Sequence, residues 1–129
     1  MKYPIAIEPG NEEKAYGVVV PDLPGCFSAG DSLDEAIDNA KEAIELWLET
    51  VIDDGGKVPE ASSIAKHQAN PEFSGWVWAV VCVDLAELSD KAERVNITLP
   101  ARILRRIDSA ARAAGESRSG FIAHLALRA

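Results

Sequence analysis

The sequence predicts an α+β protein made of two modules: a strand-rich front domain with one long helix, and a short strand–helix–helix tail. Up to residue 83, β-type runs between Pro and Gly turns surround a single amphipathic helix, and the tail pattern begins at residue 94. Charge divides at the same place, because residues 1–90 carry 5 Lys+Arg against 18 Asp+Glu and residues 91–129 carry 8 against 3. We therefore predict domains at 1–84 and 93–129, joined by a linker at 85–92.

Three strands are predicted before the helix of the front domain. Residues 2–8 carry apolar side chains at alternate positions and end at the turn-forming residues 9–11, and a second run covers 15–20. Residues 21–25 contain two prolines and a glycine, which predicts a fixed corner before a third strand at 26–29.

The long helix is predicted from its first turn and its apolar stripe. Ser32 and Glu35 have the spacing of a capping box, and Gly55 and Gly56 are suited to a C-terminal cap. The stripe comprises Ile37, Ala40, Ala43, Ile44, Trp47, Leu48, Val51 and Ile52. The other face is acidic, which is typical of a solvated surface and also suits a basic partner. A buried strand at 76–83 completes the predicted order β-β-β-α-β.

The tail opens with a stretch whose two sides differ. In an extended strand at 94–100, the apolar side chains Val95, Ile97 and Leu99 share one face and the polar ones share the other. Arg and Asn are well shaped for bidentate hydrogen bonds to guanine and adenine, and a two-stranded ribbon fits the DNA major groove. The candidate base-reading residues are Arg94, Asn96 and Thr98, and the alternative is an ordinary exposed edge strand.

Two helices follow the ribbon. Pro100 suits the first turn of one helix, Gly115 ends it, and Ser117 is a good N-cap for the next, giving the order β-α-α. The start of the second helix offers free N–H groups for phosphate, with Ser117, Arg118 and Ser119 as candidate DNA phosphate-binding residues. About forty residues bury too little apolar surface to fold alone, so we predict a homodimer through the tail.

Several classes of function are disfavoured by the sequence. The two cysteines lack Cys-x-x-Cys spacing, and His67 stands alone, as an ordinary surface histidine would, so we expect neither a metal site nor a cofactor. The carboxylates Asp22, Asp31 and Asp84 have no feature of a magnesium cluster, and we expect no catalytic residues. The longest apolar run, 77–83, is too short for a membrane span and no signal-peptide pattern is present, which indicates a cytoplasmic protein.

Both modules resemble known families. Residues 94–127 resemble a ribbon-helix-helix DNA-binding domain, through the Leu99–Pro100 junction and the Gly-x-Ser-Arg-Ser stretch at 115–119. The front domain resembles the HicB-like antitoxins, through its paired strands, the Pro-Asp-Leu-Pro-Gly corner at 21–25, Gly-Asp-Ser at 30–32 and the Glu35–Ala36 helix start. The order of the two modules is itself found in that antitoxin family.

The resemblance implies a function for each module. The front domain is expected to have an incomplete ribonuclease-H-like fold that binds and blocks a small, basic, RNA-cleaving HicA-type toxin. The tail is expected to bind operator DNA as a dimer and repress the operon, with higher oligomers left open. The candidate toxin-binding residues are Tyr16, Asp22, Phe27 and Asp31. The alternative is a ligand-responsive ribbon-helix-helix transcriptional repressor without a toxin partner.

Overall fold

The computed structural model describes residues 1–88 and 95–129. The front domain contains a four-stranded antiparallel sheet in the order β3-β2-β1-β4. The strands are β1 (Lys2–Glu8), β2 (Tyr16–Val19), β3 (Phe27–Gly30) and β4 (Val77–Cys82). All four lie within a residue or two of their predicted positions, which confirms the mixed α+β class. The most deeply buried strand, β1, lies inside the sheet and is paired on both sides.

Helix α1 (Leu33–Asp53) covers one face of the sheet. Ser32 Oγ accepts the N–H of Glu35 at 3.1 Å, and Gly55 takes a left-handed conformation with φ of +72° just beyond the helix, as the two termini predicted. The buried residues of α1 are Ala36, Ala40, Ile44 and Leu48, and they share the core with Tyr3, Ile5, Ile7, Val18 and Val81. Burial of this apolar surface stabilises the domain.

The segment between α1 and β4 is tied to the rest of the front domain by polar contacts. It contains α2 (Ile64–Gln68) and a 3₁₀ turn at Pro71–Phe73. The Asp22 carboxylate accepts the N–H of Ser62 at 2.7 Å and lies 2.8 Å from His67 Nε2. The His67 ring also stacks on Trp78, with centroids 6.4 Å apart. The prediction of an ordinary surface histidine was wrong, because Asp22 and Trp78 hold this ring in place.

The start of the predicted linker is structured. Leu85–Leu88 form a 3₁₀ helix, and the side chains of both terminal leucines are buried. A polar composition suggested a linker from residue 85, but the two leucines are three residues apart and reach the core together. The remainder of the predicted linker and Arg94 lie outside the described residues.

The tail contains two helices that pack on each other. They are α3 (Ala101–Ala113) and α4 (Arg118–Arg128), separated by Gly115 with φ of +69°. Ser117 Oγ accepts the N–H of Gly120 at 2.9 Å, so the predicted N-cap is present. Residues 95–99 form no paired strand within this chain, since the described part of the chain offers them no strand partner. Among the described residues, no helix has the length and apolar character needed to cross a membrane.

Two positions on opposite faces of α1 test the core. We expect Ile44→Ala to lower the free energy of unfolding by about 2–5 kcal/mol, because Ile44 is fully buried against the sheet. Leu46→Ala is the control on the same helix, and since Leu46 is 61% exposed the expected change is within about 0.5 kcal/mol. Urea unfolding followed by tryptophan fluorescence measures both values. Equal effects of the two substitutions would contradict the assigned orientation of α1.

Candidate functional site

An open groove of about 990 Å³ lies between residues 95–99 and the start of α4. Its lining includes Asn96 and Thr98 from the predicted ribbon, and Arg118 and Ser119 from the predicted phosphate site. The fold therefore brings two groups of candidate residues together that are about twenty positions apart in the sequence. Arg94 lies outside the described residues.

The apolar side of the predicted ribbon is largely uncovered in this single chain. Val95 is 72% exposed and Ile97 is 64% exposed, and on the other side of the groove Ile122 of α4 is also exposed. Contiguous exposed apolar side chains of this kind are typical of a surface that another protein chain covers. The polar side chains Asn96 and Thr98 are exposed as well, so both faces of this stretch are accessible.

Arg118 is held at the start of α4 by a two-pronged ion pair with α3. Its Nε lies 2.7 Å from Asp108 Oδ1 and one terminal nitrogen lies 2.8 Å from Oδ2. These hydrogen bonds hold the pKa of Asp108 below its usual range and raise the pKa of Arg118. The pair is solvent-exposed, so it orients the guanidinium and adds little stability.

The first turn of α4 has the features that anion binding requires on its outer side. Ser117, Arg118 and Ser119 are exposed, and the backbone N–H groups of a helix's first turn lack partners within the helix. The N–H of Gly120 is the exception, because it is taken by Ser117 Oγ. The positive end of the helix dipole adds to the attraction for a negative group.

The opposite side of α4 packs on the front domain. Ala123 and Leu127 are partly buried against its core, next to the 3₁₀ helix at Leu85–Leu88. In the α3–α4 corner, the buried carboxylate of Glu116 pairs with the amino group of Met1 and lies 3.4 Å from His124 Nδ1. Burial raises the pKa of the nearby Tyr3 hydroxyl, and the negative charges of Asp22 and Glu116 raise it further.

A second contact across this boundary joins Asp84 to Gly120. A Cβ built on Gly120 would overlap the Asp84 carboxylate, so a larger residue at this position would displace that carboxylate. Sequence reasoning missed both this contact and the cluster around Glu116. The available signal was a glycine inside a helical pattern, which often marks a close approach of another group.

The four candidate toxin-binding residues are not brought together. Tyr16 packs on the core side of the sheet. Phe27 lies opposite Val19 in the neighbouring strand, so its side chain is on the other face of the sheet, where it is 65% exposed. Asp31 is exposed just beyond β3, but the Asp22 carboxylate is nearly buried and used by Ser62 and His67. Phe27 and Asp31 are therefore the two candidates that a partner can reach directly.

The exposed face of α1 is strongly acidic around one leucine. Asp38, Glu42, Glu45 and Glu49 surround the exposed Leu46, together with Lys41. Leu46 lies outside the apolar stripe read from the sequence, and its exposure agrees with that periodicity. Within residues 1–88 and 95–129, no three His, Cys, Asp or Glu side chains are grouped so that they could hold a metal ion.

Comparison with protein families and curated sequences gives one consistent result. A family model described as "HicB_like antitoxin of bacterial toxin-antitoxin system" matches residues 3–126. An uncharacterized 14.9 kDa protein from the rep-hol intergenic region of Haemophilus phage HP1 is 46% identical over 128 residues, which span 98% of this chain and 95% of that protein.

Solved structures agree with the family match. The Burkholderia pseudomallei antitoxin HicB superposes with a TM-score of 0.78 at 43% identity, over 98% of this chain and 96% of that one. A chain from a HicA3 and HicB3 toxin-antitoxin complex superposes with a TM-score of 0.53 at 26% identity, over 62% of this chain and 94% of that one.

The Arg118–Asp108 pair can be tested by titration. Arg118→Gln should raise the pKa of Asp108 toward the ordinary aspartate value of about 3.9, because the hydrogen bonds that favour the charged carboxylate are lost. In the wild type, the pair persists above the lowered pKa of Asp108 and is lost as the pH falls through it. Carbon-detected NMR of the carboxyl group measures the shift.

Arg128→Gln is the matched control for this titration, because Arg128 pairs with Glu60 and makes no contact with Asp108. It should leave the Asp108 titration unchanged. An Asp108 curve that is the same with and without the Arg118 guanidinium would contradict the ion pair.

Proposed function

The chain belongs to the HicB-like antitoxin family of bacterial toxin-antitoxin systems, and from this we propose that it binds and neutralises a HicA-type RNA-cleaving toxin in the cytoplasm and represses its own operon. The main support for toxin neutralisation is the family match over nearly the whole chain. It is supported by the likeness to a chain from a structure described as a HicA3 and HicB3 toxin-antitoxin complex.

The charge of the front domain supports a basic toxin partner. Residues 1–90 carry a net formal charge of −13, and much of it lies on the exposed face of α1. Opposite charges speed the encounter of two proteins, and an acidic antitoxin opposes the phosphate-binding surface of an RNA-cleaving enzyme. We assign direct contact to the surface beside β3 that contains Phe27 and Asp31, because both side chains are exposed there.

DNA binding by the tail is supported by the groove beside α4. In our proposal, a second copy covers the exposed Val95 and Ile97, and the two stretches at 95–99 pair as an antiparallel ribbon. That pairing supplies the strand partner that one chain lacks, and it turns Arg94, Asn96 and Thr98 of both copies toward the major groove. Ser117, Arg118 and Ser119 then contact phosphates and set the register.

Base reading and phosphate binding predict different mutant behaviour. Asn96→Ala should lower operator affinity by about 1–3 kcal/mol while leaving non-specific DNA binding nearly unchanged, because a base contact is lost. Ser119→Ala, at the phosphate site on the same groove, should weaken binding to operator and non-specific DNA alike. Fluorescence anisotropy at one fixed salt concentration gives both affinities. Unchanged discrimination in Asn96→Ala would remove the base-reading assignment.

Toxin neutralisation is tested by co-expression with the toxin encoded beside this gene. The wild type should restore growth and co-purify with the toxin, and Phe27→Asp should do neither, because a charge replaces an exposed aromatic contact. Leu46→Asp is the matched control, since Leu46 is equally exposed but lies on α1. Circular dichroism verifies that both variants are folded. Full rescue by Phe27→Asp would move the toxin contact elsewhere, and no rescue by the wild type would contradict the antitoxin function.

A further inference from the structure

The Asp84 carboxylate of the front domain lies beside the first turns of two helices. Asp84 follows β4, and its Oδ1 accepts the N–H of Ala86 at 3.1 Å, at the start of the 3₁₀ helix Leu85–Leu88. The same oxygen lies against Gly120, in the first turn of α4, at a distance that leaves no room for a side chain. A negative group beside the N-terminus of α4 interacts favourably with the dipole of that helix.

The residue opposite Asp84 is unfavourable for its own helix. Glycine is a poor helix former, yet Gly120 is the third residue of α4. A substitution to alanine would strengthen the isolated helix and would collide with Asp84. The close approach of Asp84 therefore explains why a glycine is found at position 120, although alanine would stabilise the helix itself.

The contact belongs to an interface that contains none of the proposed toxin-binding or base-reading residues. At the other end of α4, Arg128 pairs with Glu60 of the front domain. Just before α4, Glu116 pairs with the amino group of Met1, and His124 of α4 lies beside it in the same buried cluster. Gly120, His124 and Arg128 lie on a different side of α4 from Ser119 and Ile122, which line the groove.

We propose that the Asp84–Gly120 contact is autoinhibitory: it docks α4 on the front domain and lowers the affinity of the tail for DNA. The docked carboxylate interacts with the same positive helix end that a DNA phosphate would use. Docking also holds the front domain, which carries 5 Lys+Arg against 16 Asp+Glu in residues 1–84, close to the DNA-facing residues, where its repulsion of phosphates is least screened. Undocking removes both effects. This inference rests on the proposed DNA binding.

Two variants of the full chain change the contact in different ways. Asp84→Asn removes the charge and keeps the shape, so that its side-chain oxygen still accepts the N–H of Ala86. Gly120→Ala adds a methyl group that overlaps the Asp84 carboxylate and pushes the two elements apart. Asp38→Asn is the control, because it changes the net charge equally on the exposed face of α1. Hydrogen exchange of the α4 amides reports docking, and anisotropy with operator DNA reports affinity.

We expect Asp84→Asn and Gly120→Ala each to tighten operator binding by about two- to fivefold at low salt, with a smaller gain at high salt. Asp38→Asn should bind like the wild type, and Gly120→Ala should speed exchange in α4. Adding Asp84→Ala to Gly120→Ala makes room for the methyl group and should restore slow exchange.

Unchanged or weakened operator binding in Asp84→Asn and Gly120→Ala overturns the autoinhibitory contact. An equal gain in Asp38→Asn also overturns it, because the effect is then one of overall charge. If the wild type binds no DNA, the proposed repression fails and the autoinhibition fails with it. If the wild type binds DNA and only exchange in α4 changes, the repression stands and the autoinhibition alone is wrong.

Discussion

The two faces of α4 link the parts of this protein. One face, with Gly120 and Leu127, packs on the front domain, and a second face, with Ser119 and Ile122, borders the open groove, while Ala123 lies between them and touches both. A helix of three turns has just enough circumference for two such stripes, because residues three and four apart share a face. The position of α4 on the front domain therefore sets where the groove lies relative to that domain.

The groove itself is incomplete in one chain. Exposed apolar side chains at Val95 and Ile97 are unfavourable in water, and no strand of the described chain pairs with them. Their exposure fits our proposal that a second copy supplies both the strand partner and the apolar cover. In that proposal dimerisation and DNA reading are linked, because strand pairing buries the apolar side chains and fixes the polar ones together on the outer face.

The front domain combines a rigid scaffold with two accessible surfaces. Asp22, which the sequence presented as a candidate for partner contact, is instead used to fasten the segment before β4 through Ser62 and His67. Phe27 and Asp31, in contrast, are exposed at the edge of the sheet, and in our proposal the acidic face of α1 acts on the partner at longer range. Of the two aspartates beside the turns of the front domain, Asp22 is therefore structural and Asp31 is accessible to a partner.

Local patterns in the sequence determined most of the secondary structure. The capping residue Ser32, the left-handed glycines 55 and 115, and the apolar periodicity of α1 act within a few positions of each other, so their effects can be read without the fold. Only the tertiary structure determined which groups Asp22 binds, that Leu85 and Leu88 are buried, and that Asp84 approaches Gly120. Those contacts join residues up to 45 positions apart, as in the Asp22–His67 pair. Spacing along the chain carries no information about which distant charge, ring or glycine will meet, because that depends on how the elements pack.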